Sequence, residues 1–171
     1  MTSPSAPSYR EIPLTKGQTA LVDESDFESL SAFKWYASWN SHTQSFYAAR
    51  NSCRKGGKPN KPIWMHREIL GLPRTGDGRF GDHVDHDTLD NRRRNLRVAS
   101  GSENASNARL RKDNPSGFKG VTFHKPTGRW RARIQSNGVP VELGYTDTPE
   151  EASRLYCAAV PRFHGKFACP N

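Results

Sequence analysis

GDHVDHDTLDNRRRNLRVASGSENASN, residues 81–107, holds four Asp, two His and four Asn within one short stretch. It opens on an Asp-His pair, Asp82-His83, and continues to Asn95, twelve residues after the His, and to Asn104, nine residues later. Adjacent side chains on a strand point to opposite faces. Asp82 can therefore hold a hard divalent cation while His83 approaches the same phosphate from another direction. A hairpin of this length followed by a helix can return Asn104 beside Asp82. Asn91 reads as a turn former through side-chain to backbone bonds, and Asp85 and His86 as polar loop groups. Of Arg92, Arg93, Arg94 and Arg97, two or three are expected to contact backbone phosphates rather than form a merely solvated face.

The charge around this stretch points the same way. The chain carries a net charge of +9 over 171 residues. Residues 54–112 alone hold 14 basic and 7 acidic groups. Such a stripe favours a polyanion, because binding releases the polyanion's condensed counterions. No run of eighteen apolar residues occurs, and the first thirty residues lack a basic start followed by an apolar core. Neither a membrane span nor a secretory signal is expected, which makes the cytoplasm the default location. Cys53, Cys157 and Cys169 form no C-x-x-C pair, so neither a disulfide framework nor a cysteine zinc site is indicated.

Upstream, MTSPSAPS at residues 1–8 reads as a disordered tail. From Tyr9 to Trp39 short apolar runs are broken at Pro13, Lys16-Gly17 and Asn40-Ser41, which suits short strands and one helical turn. RKGGKPNKP, residues 54–62, reads as a loop or hairpin tip, and Ile63 to Leu70 as one apolar element ended by Gly71 and Pro73. His66 in that element is either a packed structural residue or a neighbour of the site. Downstream, KDNPSG at residues 112–117 reads as a linker. Three strands follow at 118–124, 130–136 and 139–145, the last two joined by Asn137-Gly138, a strong hairpin signal. Thr148-Pro149-Glu150-Glu151 then predicts a capped helix start, with Ala152, Leu155, Tyr156, Ala159 and Phe163 on the sheet side.

WMHREILG at residues 64–71, Asp82-His83, LDNRRRNLRV at 89–98 and SENASN at 102–107 together resemble the HNH nucleases, in the homing branch where the last His is replaced by Asn. The register starting at Asp85-His86 is rejected, because it puts Asn95 too close and Val98 where that family has its middle Asn. Gly81 departs from the family, which usually has an apolar residue before the Asp. The resemblance implies a ββα-metal site. In it His83 is the general base, and Asp82 and Asn104 hold one Mg²⁺ or Mn²⁺ ion. Asn95 braces the hairpin and orients the His without touching the metal.

In the second predicted strand of the carboxyl-terminal module, Trp130, Ala132 and Ile134 alternate with Arg131, Arg133 and Gln135. Period two puts the first set on the helix and the second on an open face whose side chains can read base edges. GFKGV at 117–121, GRWRARI at 128–134, Leu143-Gly144 and residues 146–152 resemble the ethylene-response-factor (Apetala-type) DNA-binding domain. That likeness places Lys119, Thr122, His124, Arg131, Arg133 and Gln135 on the face that enters the major groove. Glu142 stands where the plant proteins commonly have Trp.

The fold expected is α+β. Residues 9–62 form a β-rich scaffold that also contacts DNA, 63–111 an HNH core, and 118–171 a three-stranded antiparallel sheet packed on one helix. The function expected is a metal-dependent endonuclease acting on double-stranded DNA as a monomer or homodimer. The rival is a DNA-binding regulator whose hairpin only clamps phosphate. An RNA-directed nuclease is disfavoured by the lack of an aromatic stacking platform.

Overall fold

The computed structural model describes residues 9–52, 61–74, 77–110, 113–136 and 138–167. The tail expected at 1–8, most of the loop at 54–62, and Cys53, Asn137 and Cys169 lie outside the described residues. The chain divides into two compact units, Met1–Ala99 and Ser100–Asn171. The division falls inside the stretch read as the HNH core, just before Ser100, the last residue of the strand that precedes its helix.

The first unit begins with an antiparallel pair, β1 (Tyr9–Pro13) and β2 (Thr19–Asp23). Lys16 and Gly17 both take positive φ in the turn between them. Helix α1 (Glu24–Ser31) follows, then a three-stranded antiparallel sheet of β3 (Tyr36–Asn40), β4 (Ser45–Asn51) and β5 (Pro62–Trp64). The element expected over 63–70 is in fact two. Its first residues complete β5, and a short helix α2 (Met65–Ile69) begins at Met65. The backbone turns there because Met65 must enter the core, where it is fully buried with Ile12, Ala20, Val22, Leu30, Trp35, Ala48, Ile69 and Leu96. The Trp35 indole N–H donates to the Leu30 carbonyl at 2.8 Å, so the one polar atom of that ring is satisfied on burial. Strand β6 (Arg79–His83) pairs with β7 (Leu96–Ser100), and residues 84–95 form the long connection that carries most of the site.

The second unit opens on helix α3 (Gly101–Asn107), started by a full capping box: the Ser100 hydroxyl accepts from the Glu103 N–H and the Glu103 carboxylate from the Ser100 N–H. The described part of the expected linker, residues 113–117, is a tight turn closed by Asn114 and Ser116, whose hydroxyl donates to Asn114 Oδ1 at 2.7 Å. Strands β8 (Val121–His124), β9 (Arg129–Ser136) and β10 (Val139–Thr146) make an antiparallel sheet with β9 central. Helix α4 (Pro149–His164) covers one face, starting at the capped Thr148 as the sequence predicts. Val121, Ala132 and Ile134 from the sheet meet Ala152, Tyr156 and Val160 from α4. Gly120 has φ +69°, and a Cβ there would run into the ring of Tyr156 and come within 2.6 Å of the Arg133 carbonyl oxygen. Both conformation and space therefore require glycine. Among the described residues no helix is long and apolar enough to cross a membrane.

Candidate active site

Asp82 and His83 end strand β6, and both are buried, at 7% and 5% exposure. Their side chains meet different neighbours, as alternation along a strand requires. The Asp82 carboxylate accepts from Arg97 Nε at 2.7 Å, across the β6–β7 pair. The His83 ring packs edge-on to Tyr47 and to His66, with centroid separations of 6.1 and 5.1 Å. Burial, the largest influence, pulls the His83 pKa below its usual 6.5, while Asn91 and the carboxylates of Asp82, Asp85 and Asp87 push the other way and lose. His83 is thus a neutral imidazole near pH 7, the form a general base must have.

The orientation of the Asn91 amide follows from its bonds. Its Nδ2 donates to the Leu89 carbonyl at 3.1 Å, so Oδ1 is the atom facing His83 Nε2 at 3.4 Å. An oxygen can only accept, which favours the tautomer with hydrogen on Nε2 and places the basic lone pair on Nδ1. Asn91 thus does more than the turn-forming role read for it, although the turn bond is there as well.

Asn95 sits at the end of a short 3-10 turn, Arg93–Asn95, and is buried. Its Nδ2 donates to the carbonyls of Asp90 (2.9 Å) and Asp87 (3.3 Å), and its Oδ1 accepts from the Asp85 N–H at 3.0 Å. Its own carbonyl accepts from the Val84 N–H at 2.9 Å. It therefore braces the connection immediately after His83, as the resemblance implies.

The connection is also tied to the amino-terminal strands, which the sequence reading could name as a scaffold but not specify. The Leu21 N–H donates to the Leu89 carbonyl at 2.9 Å, and the Asn91 N–H donates to Leu21 at 2.8 Å. The Thr88 hydroxyl donates to the Phe46 carbonyl at 2.6 Å. Two of the four arginines serve the same bracing. Arg93 makes a two-pronged pair with Asp26 at 2.6 and 2.8 Å, while its N–H donates to Asp23 at 2.7 Å. Arg92 pairs with the buried Asp90; burial pushes that carboxyl up, but the bonds from Arg92 outweigh it and hold its pKa below the usual range. Arg97 is turned inward onto Asp82, and Arg94 is exposed. No signal in the sequence separates these four arginines, since Arg92 pairs two residues away, Arg97 fifteen residues away and Arg93 with Asp26 on α1.

His66 is buried beside His83, and its pKa is lowered to about 3 by burial first, then by His83 and Arg67. Gly81 explains its own departure from the family pattern: a Cβ there would lie 2.5 Å from His66 Cδ2 and 3.3 Å from Leu70 Cδ1. Asn104 lies on α3 in the second unit and is half-buried. Its pairing with Asp82 around a cation rests on the resemblance. One carboxylate and one amide offer oxygen donors only, which fits a hard divalent ion such as Mg²⁺ or Mn²⁺. Among the described residues no group of three or more His, Cys, Asp or Glu could hold a metal by itself.

In the second unit the alternation predicted for β9 is observed. Ala132 and Ile134 are buried and Trp130 half-buried toward α4, while Arg133 and Gln135 are exposed and Arg131 is half-buried. Thr122, Arg131 and Tyr145 stand in cross-strand register, and Arg133 stands opposite Glu142. The His124 ring packs edge-on to Tyr145 at 5.2 Å. Tyr145 joins this face unforeseen; a hydrogen bond with Glu142 is the leading cause of its raised pKa. Gln135 Nε2 donates to the Gly138 carbonyl at 3.2 Å. Lys119 differs from the others, since it precedes β8 and its ammonium donates to the Ser106 carbonyl at 3.0 Å.

No known family profile matches the chain, and no solved structure matches it significantly. Curated relatives do. An uncharacterized HNH endonuclease of Acanthamoeba polyphaga mimivirus is 28% identical over 159 residues, 91% of this chain and 76% of that one. An AP2-like ethylene-responsive transcription factor of Arabidopsis thaliana is 44% identical over 50 residues, only 29% of this chain and 10% of that one. Protein 3.8 of Escherichia phage T7 is 32% identical over 91 residues, 53% of this chain and 74% of that one. The chain belongs to the family of this phage protein, and its likeness along most of its length to the mimivirus protein supports the HNH reading.

Proposed function

We propose that the chain is a metal-dependent endonuclease that hydrolyses phosphodiester bonds in double-stranded DNA. The observation that carries this reading is the Asp82-His83 pair at the end of β6, with the connection behind it fixed by Asn95. That a relative matching 91% of the chain is named an HNH endonuclease supports nuclease activity. In this mechanism His83 accepts at Nδ1 the proton of the water that attacks phosphorus, while Asn91 holds the opposite ring nitrogen. Arg97 keeps the Asp82 carboxylate in place. Asp82 and Asn104 would hold the divalent cation, which would neutralise charge on the scissile phosphate and the departing oxygen. The exposed face of β8–β10 would read sequence through Arg131, Arg133 and Gln135.

Incubation of supercoiled DNA with the protein and Mg²⁺ tests the proposal, with nicked circles ending in 5′ phosphate and 3′ hydroxyl as the expected product. The resemblance of the second unit to plant transcription factors favours one rival, a regulator that binds DNA without cutting it. Sequence-selective binding with no nicking under any divalent metal would decide for that rival.

A further inference from the structure

The imidazole of the proposed general base is walled by other aromatic rings. Asn91 Oδ1 faces Nε2 of that ring at 3.4 Å, and the ring's flat sides are left to its packing neighbours. Rings packed this closely against a buried imidazole restrict its angle. The nearest ring is His66, edge-on at 5.1 Å, and Tyr47 closes the next side at 6.1 Å. His66 is itself held between Tyr47, tilted at 5.9 Å, and Trp64, stacked at 6.5 Å. Its remaining side is Gly81, the residue directly before the Asp-His pair, where any side chain would collide with the imidazole. The glycine thus serves space here, since its φ is not in the left-handed region. Two imidazoles can pack this closely because burial keeps His66 uncharged, which avoids repulsion between like charges.

We propose that His66, seated in the gap left by the missing side chain of Gly81, is a positioning residue that sets the orientation of the His83 imidazole. This rests on the nuclease reading above and adds a role that touches neither DNA nor metal. A general base must be aimed within hydrogen-bond reach of its water, and a misplacement of about 1 Å can cost about 100-fold in rate.

The test uses the full chain, supercoiled plasmid DNA with Mg²⁺ at saturating protein, and a fluorescein-labelled duplex spanning a nick mapped on that plasmid. His66→Ala is expected to slow nicking by about 10- to 100-fold while leaving the affinity for the duplex within about twofold. Gly81→Ala is expected to do the same by pushing His66 aside. The double variant should be no slower than His66→Ala alone, because the added methyl then has room. His66→Phe, which keeps a ring in the slot, should recover most of the rate, and His66→Asn should not. If His66→Ala is unfolded, the contrast between Phe and Asn decides alone. Wild-type rate in His66→Ala, equal rates for Phe and Asn, multiplying losses in the double variant, or a loss seen in affinity alone overturns the inference. Wild-type protein that leaves the plasmid intact overturns the nuclease reading itself, whereas wild type that nicks beside a fully active His66→Ala overturns this inference only.

Discussion

Acid should destabilise the first unit through His66 in a way that one substitution removes. In the folded protein the His66 pKa is lowered from 6.5 to about 3. Below pH 6.5 the unfolded chain takes up a proton on this ring that the folded chain refuses, so stability falls as pH falls. The slope approaches ~1.4 kcal/mol per pH unit, and between pH 7 and pH 5 the loss integrates to about 2 kcal/mol. His83, also lowered by burial, acts in the same direction, and Asp90, held low by Arg92, adds to the loss at more acid pH. Those contributions are common to wild type and His66→Phe, so the difference between the two isolates His66. Urea unfolding at pH 7, 6 and 5 measures it by tryptophan fluorescence. A Trp130→Phe background leaves Trp35, Trp39 and Trp64, all in the first unit, as reporters. The wild-type curve should lose about 2 kcal/mol more than His66→Phe over this interval. Parallel pH dependences would refute the claim that the buried imidazole stays neutral.

Other outcomes follow from the same structure. Asn95→Ala deletes three side-chain hydrogen bonds within the connection and should cost about 2–4 kcal/mol in urea unfolding, with nicking lost even where the protein stays folded. Gly120→Ala should destabilise the second unit by more than ~3 kcal/mol, since strained φ and a collision with Tyr156 act together; a near-neutral result in thermal unfolding would contradict the packing described. Arg131→Ala and Arg133→Ala should each weaken site preference by about 1–3 kcal/mol in competition binding, with little change in the rate of nicking at saturation. Removal of divalent metal by EDTA should abolish nicking and leave DNA binding largely intact, and Mg²⁺ or Mn²⁺ should restore the activity.

What the sequence revealed follows the range of the interactions involved. The sheet and helix of residues 121–164 were legible from local signals, although the first strand begins at Val121 rather than at Phe118. Alternation in β9 and the capped start of α4 are local signals, and the sheet and helix they specify pack on each other with few exceptions. The Asp82-His83 strand was legible from the residues themselves, whereas a bracing role for Asn95 entered only through the family resemblance. Four arginines close in sequence were not separable. Arg92 answers to a carboxylate two residues away, Arg97 to one fifteen away across a strand pair, and Arg93 to Asp26 on a distant helix. The slot shared by His66 and Gly81 was equally hidden. A glycine chosen for space rather than for φ leaves no turn signal around it, and His66 carries no mark of its partner fifteen residues on. The break of residues 63–70 into a strand and a helix was invisible to periodicity, since a short apolar run fits either structure.

The most direct measurement compares wild type with His83→Ala on one supercoiled plasmid in Mg²⁺, following nicked circles and DNA affinity in parallel. The account predicts nicking by wild type, and DNA binding without nicking by a folded His83→Ala. Equal nicking by the two proteins would contradict it, because the strand-end imidazole would then have no part in the chemistry.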